Sequence, residues 1–113
     1  MFERKDFISH AGKSLDWKIE CDELSDDDLE TLAYVVSRRI QFSSVVGIPR
    51  GGVRFADALK QYVSESGPRL LVDDVLTTGL SMDTERKYGD IGVVIFSRGL
   101  CPSWITPIFQ CFF

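Results

Sequence analysis

The sequence predicts an α/β domain in which a small parallel sheet is flanked by helices. Three observations predict it. Apolar runs around 45–48, 70–75 and 91–97 do not alternate with polar residues, as strands exposed on one face would. Stretches of helical spacing separate those runs along the chain. Two unusual turns, GIPRGG after the first run and DDVLTTG closing the second, fall at the carboxyl ends of strands, the edge where open α/β sheets bind ligands.

The first helix is predicted from Ser25, whose hydroxyl can accept from the amide of Asp28, while Asp26, Asp27 and Asp28 place negative charge in the first turn. Leu29, Leu32, Ala33, Val36 and Ile40 then form one apolar stripe on a helix of about 15 residues. A strand over Val45 to Ile48 follows, then the Gly/Pro turn. Helical spacing resumes at Val53 with Phe55, Ala56, Leu59 and Val63 as its buried stripe, until Ser66, Gly67 and Pro68 stop it. The second strand is expected over Leu70 to Val75 and a short polar helix from about Ser81 to Tyr88, ended by Gly89. Ile91 to Ser97 is the last predicted strand. The tail, LCPSWITPIFQCFF, is expected to pack on the core or on a partner subunit. It is too short for a bilayer span of roughly 20 residues and is interrupted by Pro102 and Pro107.

At 113 residues the chain is expected to be one domain, 1–113. Its net charge of −4, with no block of Lys or Arg, argues against binding a nucleic acid through its phosphate backbone. Cys21, Cys101 and Cys111 are odd in number and contain no C-x-x-C pair. That suits reduced thiols serving as core filler in a cytoplasmic protein. The amino terminus, MFERKDFISH, carries charges where a secretory leader needs an apolar run, so a cytoplasmic protein away from membranes is expected.

The turn Thr77, Thr78, Gly79 offers backbone amides, two hydroxyls and a helix start, which together suit a phosphate. Asp73 and Asp74 cannot bind that same phosphate. Their carboxylates suit hydroxyls or a metal, and adjacent acids can accept from the vicinal diol of a ribose. A diol beside a phosphate means a ribose phosphate. One strand earlier, Arg50 presents a fork of donors among Gly51 and Gly52, which fits a second anionic group and a close approach of backbone.

LLVDDVLTTGLSM resembles the ribose-phosphate segment of the type I phosphoribosyltransferases, and GIPRGG resembles their pyrophosphate loop. FISHAGKSLDW, Phe7 to Trp17, is similar to the amino-terminal hood of the orotate enzymes, placing a hood-like segment at about 1–24. The resemblance implies a minimal, Rossmann-like form of that fold. It implies transfer of ribose 5-phosphate from phosphoribosyl pyrophosphate to a nitrogenous base, with an orotate-like pyrimidine favoured. Asp73 and Asp74 would hold the ribose hydroxyls and face Mg²⁺ through the ligand or water. Val75, Leu76, Thr77, Thr78, Gly79, Leu80 and Ser81 would wrap the 5′-phosphate. Pro49, Arg50, Gly51 and Gly52 would face the pyrophosphate bound with Mg²⁺. Arg98 would meet the base; Trp104 is read most simply as core or interface, although its place near the base side would also let it stack there. In that family the protein contributes position and charge stabilisation as the anomeric carbon becomes cationic.

The chain departs from that pattern between Gly52 and Asp73. Only one helix, one turn and the start of a strand fit there, where the family inserts a strand pair and a flexible loop that closes over the site. His10 also stands where the orotate enzymes have a lysine. Two functions are therefore carried forward: a compact phosphoribosyltransferase, and a binding protein that keeps the site without turnover. The narrowed sheet leaves apolar surface, including Phe109, Phe112 and Phe113, that a second copy of the chain is expected to cover.

Overall fold

A computed structural model describes residues 24–111. The hood-like segment, with His10, Trp17 and Cys21, lies outside them, as do Phe112 and Phe113. Helix α1 spans Asp26–Arg39, strand β1 Ser44–Gly47, helix α2 Gly51–Leu59 with a 3₁₀ turn over Lys60–Tyr62, and strand β2 Arg69–Leu76. Helix α3 spans Leu80–Glu85, strand β3 Ile91–Arg98 and strand β4 Ile105–Cys111. The four strands form one sheet in the order β1-β2-β3-β4, and every pair is parallel. The α/β class and its parallel sheet match the sequence expectation.

Helix α1 begins where local chemistry dictates. The amide of Asp28 donates to the Ser25 hydroxyl and the amide of Ser25 donates to the Asp28 carboxylate, both at 3.1 Å, closing a reciprocal cap. Leu29, Leu32, Ala33 and Val36 are buried, and Arg54 on α2 reaches back to the Leu24 carbonyl and the Asp26 carboxylate at 3.0 Å each. These contacts set α1 and α2 side by side on one face of the sheet. There Phe55, Ala56 and Leu59 join Leu70, Val72, Val93 and Ile95 in the larger core cluster. The opposite face holds a smaller cluster of Ile48, Leu71, Leu76, Met82, Val94 and Ile105, with Cys101 and Trp104 packed against it.

Three local expectations are corrected. Val63 does not continue the α2 stripe; the 3₁₀ turn rotates it outward and it is 45% exposed. Helix α3 ends at Glu85 rather than near Tyr88. Arg69 takes the Glu85 carbonyl at 3.1 Å and Arg86 turns extended, with its guanidinium 4.3 Å from the centre of the Trp104 ring. The strand over Ile91 to Ser97 is not the last, because the tail packs on the core as a further strand. Ile105–Cys111 forms β4, in register from Gly92 opposite Ile105 to Arg98 opposite Cys111. Pro107 is accommodated because β4 is an edge strand and one side of it needs no ladder donor.

The connections carry a topological feature. Stepping from β1 to β2 to β3, the chain moves across the sheet in one direction, yet α2 packs on one face and α3, through Met82, on the other. The two crossovers therefore have opposite hands, and one of them is of the rare left-handed kind. The chain thus leaves the carboxyl ends of β1 and β2 toward opposite faces, and open α/β sheets bind ligands in the crevice at such a switch point.

Candidate functional site

Strand β2 outruns β1 at that crevice. The β1 ladder closes with Gly47 opposite Val72, and the amide of Ile48 donates to the Val72 carbonyl at 2.8 Å. Asp73 and Asp74 therefore stand one and two residues past the last β1 pair, beside the turn that carries Pro49 to Gly52. The two sequence motifs, twenty residues and more apart in the chain, meet here.

Contact between them is intimate. A Cβ added to Gly51 would overlap the Asp74 carboxylate, and one added to Gly52 would collide with the Val72 carbonyl and come to 3.0 Å from the Asp73 Cα. The glycines serve close approach. Neither has a positive φ, so it is the lack of a side chain rather than a left-handed backbone that the turn uses. The Pro49–Arg50 peptide bond is cis, and both residues are exposed at the rim of the crevice.

The acid pair interrupts its own strand. The amide of Asp74 donates to Asp73 Oδ1 and the amide of Val75 to Asp74 Oδ1, each at 2.8 Å. The β2–β3 ladder passes from Asp73 opposite Val94 to Val75 opposite Phe96 without an Asp74 pair. Residues an odd number apart face opposite sides of a regular strand, yet Leu71 and Leu76 share one cluster while Val72 and Val75 share the other. The pleat thus changes phase at the acids. Asp73 is half-buried and Asp74 is 4% exposed, so the two carboxylates occupy different environments.

Beyond them, Val75 and Leu76 place their side chains in the core, leaving only their backbone for a ligand. Thr77 and Thr78 are exposed and Gly79 adopts φ 79°, ψ 0°, a left-handed conformation suited to glycine. The Leu80 amide donates to Thr78 Oγ1 at 3.3 Å, and Leu80 and Ser81 are exposed. Because α3 has only six residues, an anion in this turn would be held by turn amides and hydroxyls more than by a helix dipole.

Arg98 is exposed at the carboxyl end of β3, on the same sheet edge. The loop after it is fixed by a small network that nothing in the sequence singled out. Ser97, fully buried, donates to the Gly99 carbonyl at 2.9 Å, Gln110 donates to the same oxygen at 2.8 Å, and the Cys101 thiol lies 3.1 Å from the Ser97 hydroxyl. Trp104 is not part of this edge. Its carbonyl accepts from Gly92 at the start of β3, at 2.8 Å, and its ring carries Arg86, so stacking on a base beside Arg98 is excluded.

Among the described residues no three His, Cys, Asp or Glu side chains converge as a metal cage. Asp73 is half-buried and the Asp74 carboxylate lies against Gly51. This donor set suits Mg²⁺ carried in largely by a ligand's phosphates and waters, the usual habit of that ion. Among the described residues, no helix is long and apolar enough to cross a membrane. Comparison with family models and with curated proteins finds no match to the chain.

Proposed function

We propose that the crevice between β1 and β2 binds phosphoribosyl pyrophosphate and that the chain transfers its ribose 5-phosphate to a nitrogenous base, an orotate-like pyrimidine by preference. The observation that carries this reading is the meeting of the two motifs, with Gly51 against Asp74 and Gly52 against the backbone of Val72 and Asp73. On this reading a diol acceptor, a phosphate turn and an arginine fork share one sheet edge, as a ribose with phosphates at both ends needs. In the transfer, the bond from the anomeric carbon to the pyrophosphate oxygen breaks, its electron pair leaves with pyrophosphate, and the base nitrogen forms the new bond. Arg50 bears on the departing charge, the Thr77–Gly79 turn anchors the 5′-phosphate, and Arg98 orients the base. Mg²⁺, when it arrives with the pyrophosphate, neutralises part of that charge.

The opposite-handed crossovers fit this reading. The resembled family inserts a strand pair between these two strands, and joining them directly, as this chain does, leaves α2 on the face it would otherwise reach by a longer route. The same shortening favours a second reading, ligand binding without turnover. Pro49, Arg50, Thr77 and Thr78 are exposed, and a site that water enters freely weakens the electrostatic stabilisation of a leaving group. A pyrophosphate-release assay with phosphoribosyl pyrophosphate, Mg²⁺ and a panel of bases separates the two. Release that requires a base and is abolished in the Asp73→Asn, Asp74→Asn double variant supports transfer. Tight binding with no release establishes the second reading, and no binding at all defeats both.

A further inference from the structure

The Thr77–Gly79 turn has little of its own to hold it. Among the described residues no side chain from outside the turn bonds to Thr77 or Thr78, and the bond from the Leu80 amide to Thr78 Oγ1 is local. Its place is set at its two ends, by the buried Leu76 that closes β2 opposite Ser97 and by helix α3. Within α3 the Asp83 amide donates to the Gly79 carbonyl and the Arg86 amide to the Met82 carbonyl, both at 2.9 Å, and the Thr84 hydroxyl donates to the Leu80 carbonyl at 2.8 Å. A helix bonded this way moves as one piece with the turn that starts it. Yet α3 has only six residues, far below the roughly 12 at which a helix alone in water becomes even marginal. Contacts from outside must anchor it. Met82, its one buried residue, is seated over Gly92, where an added Cβ would stand 2.8 Å from Met82 Cε and 3.1 Å from the Trp104 ring. Arg86, just past the helix, lies over that same indole. The other anchor is Arg69, the first residue of β2. Its Nη2 donates to the Glu85 carbonyl at 3.1 Å, and Nη2 and Nε together fork onto Asp90, just before β3. Asp90 also accepts from the Lys87 amide at 2.7 Å, and its own amide donates to the Lys87 carbonyl at 3.0 Å. One guanidinium thus joins the start of β2, the end of α3 and the approach to β3.

We infer that Arg69 and Asp90 are positioning residues for the Thr77–Gly79 turn: the pair clamps the carboxyl end of α3 and so fixes how the helix presents the turn at its start. The inference rests on the phosphoribosyl reading for what the turn holds, whereas the clamp itself stands without a ligand. An apolar seat at Met82 alone would let so short a helix pivot, and a directional bond at its far end prevents that. The clamp also gives a use to a buried ion pair, which an apolar pair of similar volume would replace at little cost if stability were its only task.

The test compares the wild-type chain with Arg69→Lys and with the double variant Arg69→Met, Asp90→Asn. The double variant removes the clamp without leaving a buried charge unpaired, and its asparagine can still accept from the Lys87 amide, so the fold is expected to survive. Arg69→Lys keeps the charge but loses the fork that reaches Asp90 and the Glu85 carbonyl together. Without ligand, amide hydrogen exchange at Asp83 and Arg86 is expected to rise about tenfold in both variants relative to Val93 to Phe96, whose amides report global opening. Affinity for ribose 5-phosphate is expected to fall at least about fivefold, while affinity for pyrophosphate with Mg²⁺, held at the Pro49–Gly52 turn, changes less than about twofold. A general loss of structure would weaken both ligands together. The inference is overturned if exchange in α3 merely follows that in β3, if ribose 5-phosphate affinity is unchanged, or if pyrophosphate weakens by the same factor. Should the wild-type chain bind neither ligand, the phosphoribosyl reading fails. The exchange rates and the amide chemical shifts of 77–81, which move in both variants if the clamp sets the turn and stay if it does not, then decide the role of Arg69 and Asp90.

Discussion

Asp90 shows how a single buried charge is made tolerable away from the site. Its side chain is 5% exposed and accepts from Arg69 Nη2 at 2.6 Å, from Arg69 Nε at 3.2 Å and from the Lys87 amide at 2.7 Å. The Arg69 hydrogen bonds, ahead of the Lys87 amide, hold its carboxyl below the ordinary range against the opposing effect of burial. A carboxyl depressed in the folded state contributes stability that is complete above its unfolded value, about 3.9, and that is lost as pH falls through the lower folded value. Asp90→Asn is therefore expected to cost about 2 kcal/mol at neutral pH, with the gap to wild type closing as the pH falls below about 4. Urea denaturation at pH 7 and at pH 3 measures both; a difference of equal size at the two pH values would contradict the assignment. At the same scale, Gly79→Ala is expected to cost about 1 kcal/mol from its positive φ alone. An added Cβ there meets only Leu76 Cδ1, at an ordinary 3.5 Å.

Among the elements, the parts legible in the sequence are those whose signal is local. The reciprocal cap at Ser25 and Asp28 and the apolar spacing of Leu29 to Val36 lie within one stretch of chain, and α1 forms as read. Ser25→Ala should lower the stability of the fold by about 1 kcal/mol, measurable by thermal or chemical melting. The misread elements are those decided by distant residues. Helix α3 ends early because Arg69 takes the Glu85 carbonyl and Trp104 takes Arg86, partners far along the chain. Strand β4 was hidden by Pro102 and Pro107, which read as breakers. Pro102 precedes the strand, and Pro107 is harmless on an edge that no sequence pattern could have placed at the end of the sheet. For the site, the acid pair and the glycine turn were visible as motifs. The seating of Asp74 on Gly51 was not, because it depends on β2 outrunning β1.

For the whole molecule, the face bearing Leu71, Val94 and Ile105 is closed by the chain itself, with none of the three more than 4% exposed. On the other face, Tyr34 and Val35 of α1 are exposed at 53% and 38%, and Val35 borders a groove with Ile40, Pro107 and Ile108. Apolar surface of this kind suits a second copy of the chain, so light scattering should give a mass twice that of the 12.8 kDa chain, and a monomer would count against it. The central claim concerns the crevice that the opposite-handed crossovers open between β1 and β2. Isothermal titration of the full chain with phosphoribosyl pyrophosphate in the presence of Mg²⁺ tests it most directly. Saturable binding that weakens at least about tenfold in Asp73→Asn is the predicted result; the absence of binding, or binding unchanged by that substitution, would contradict it.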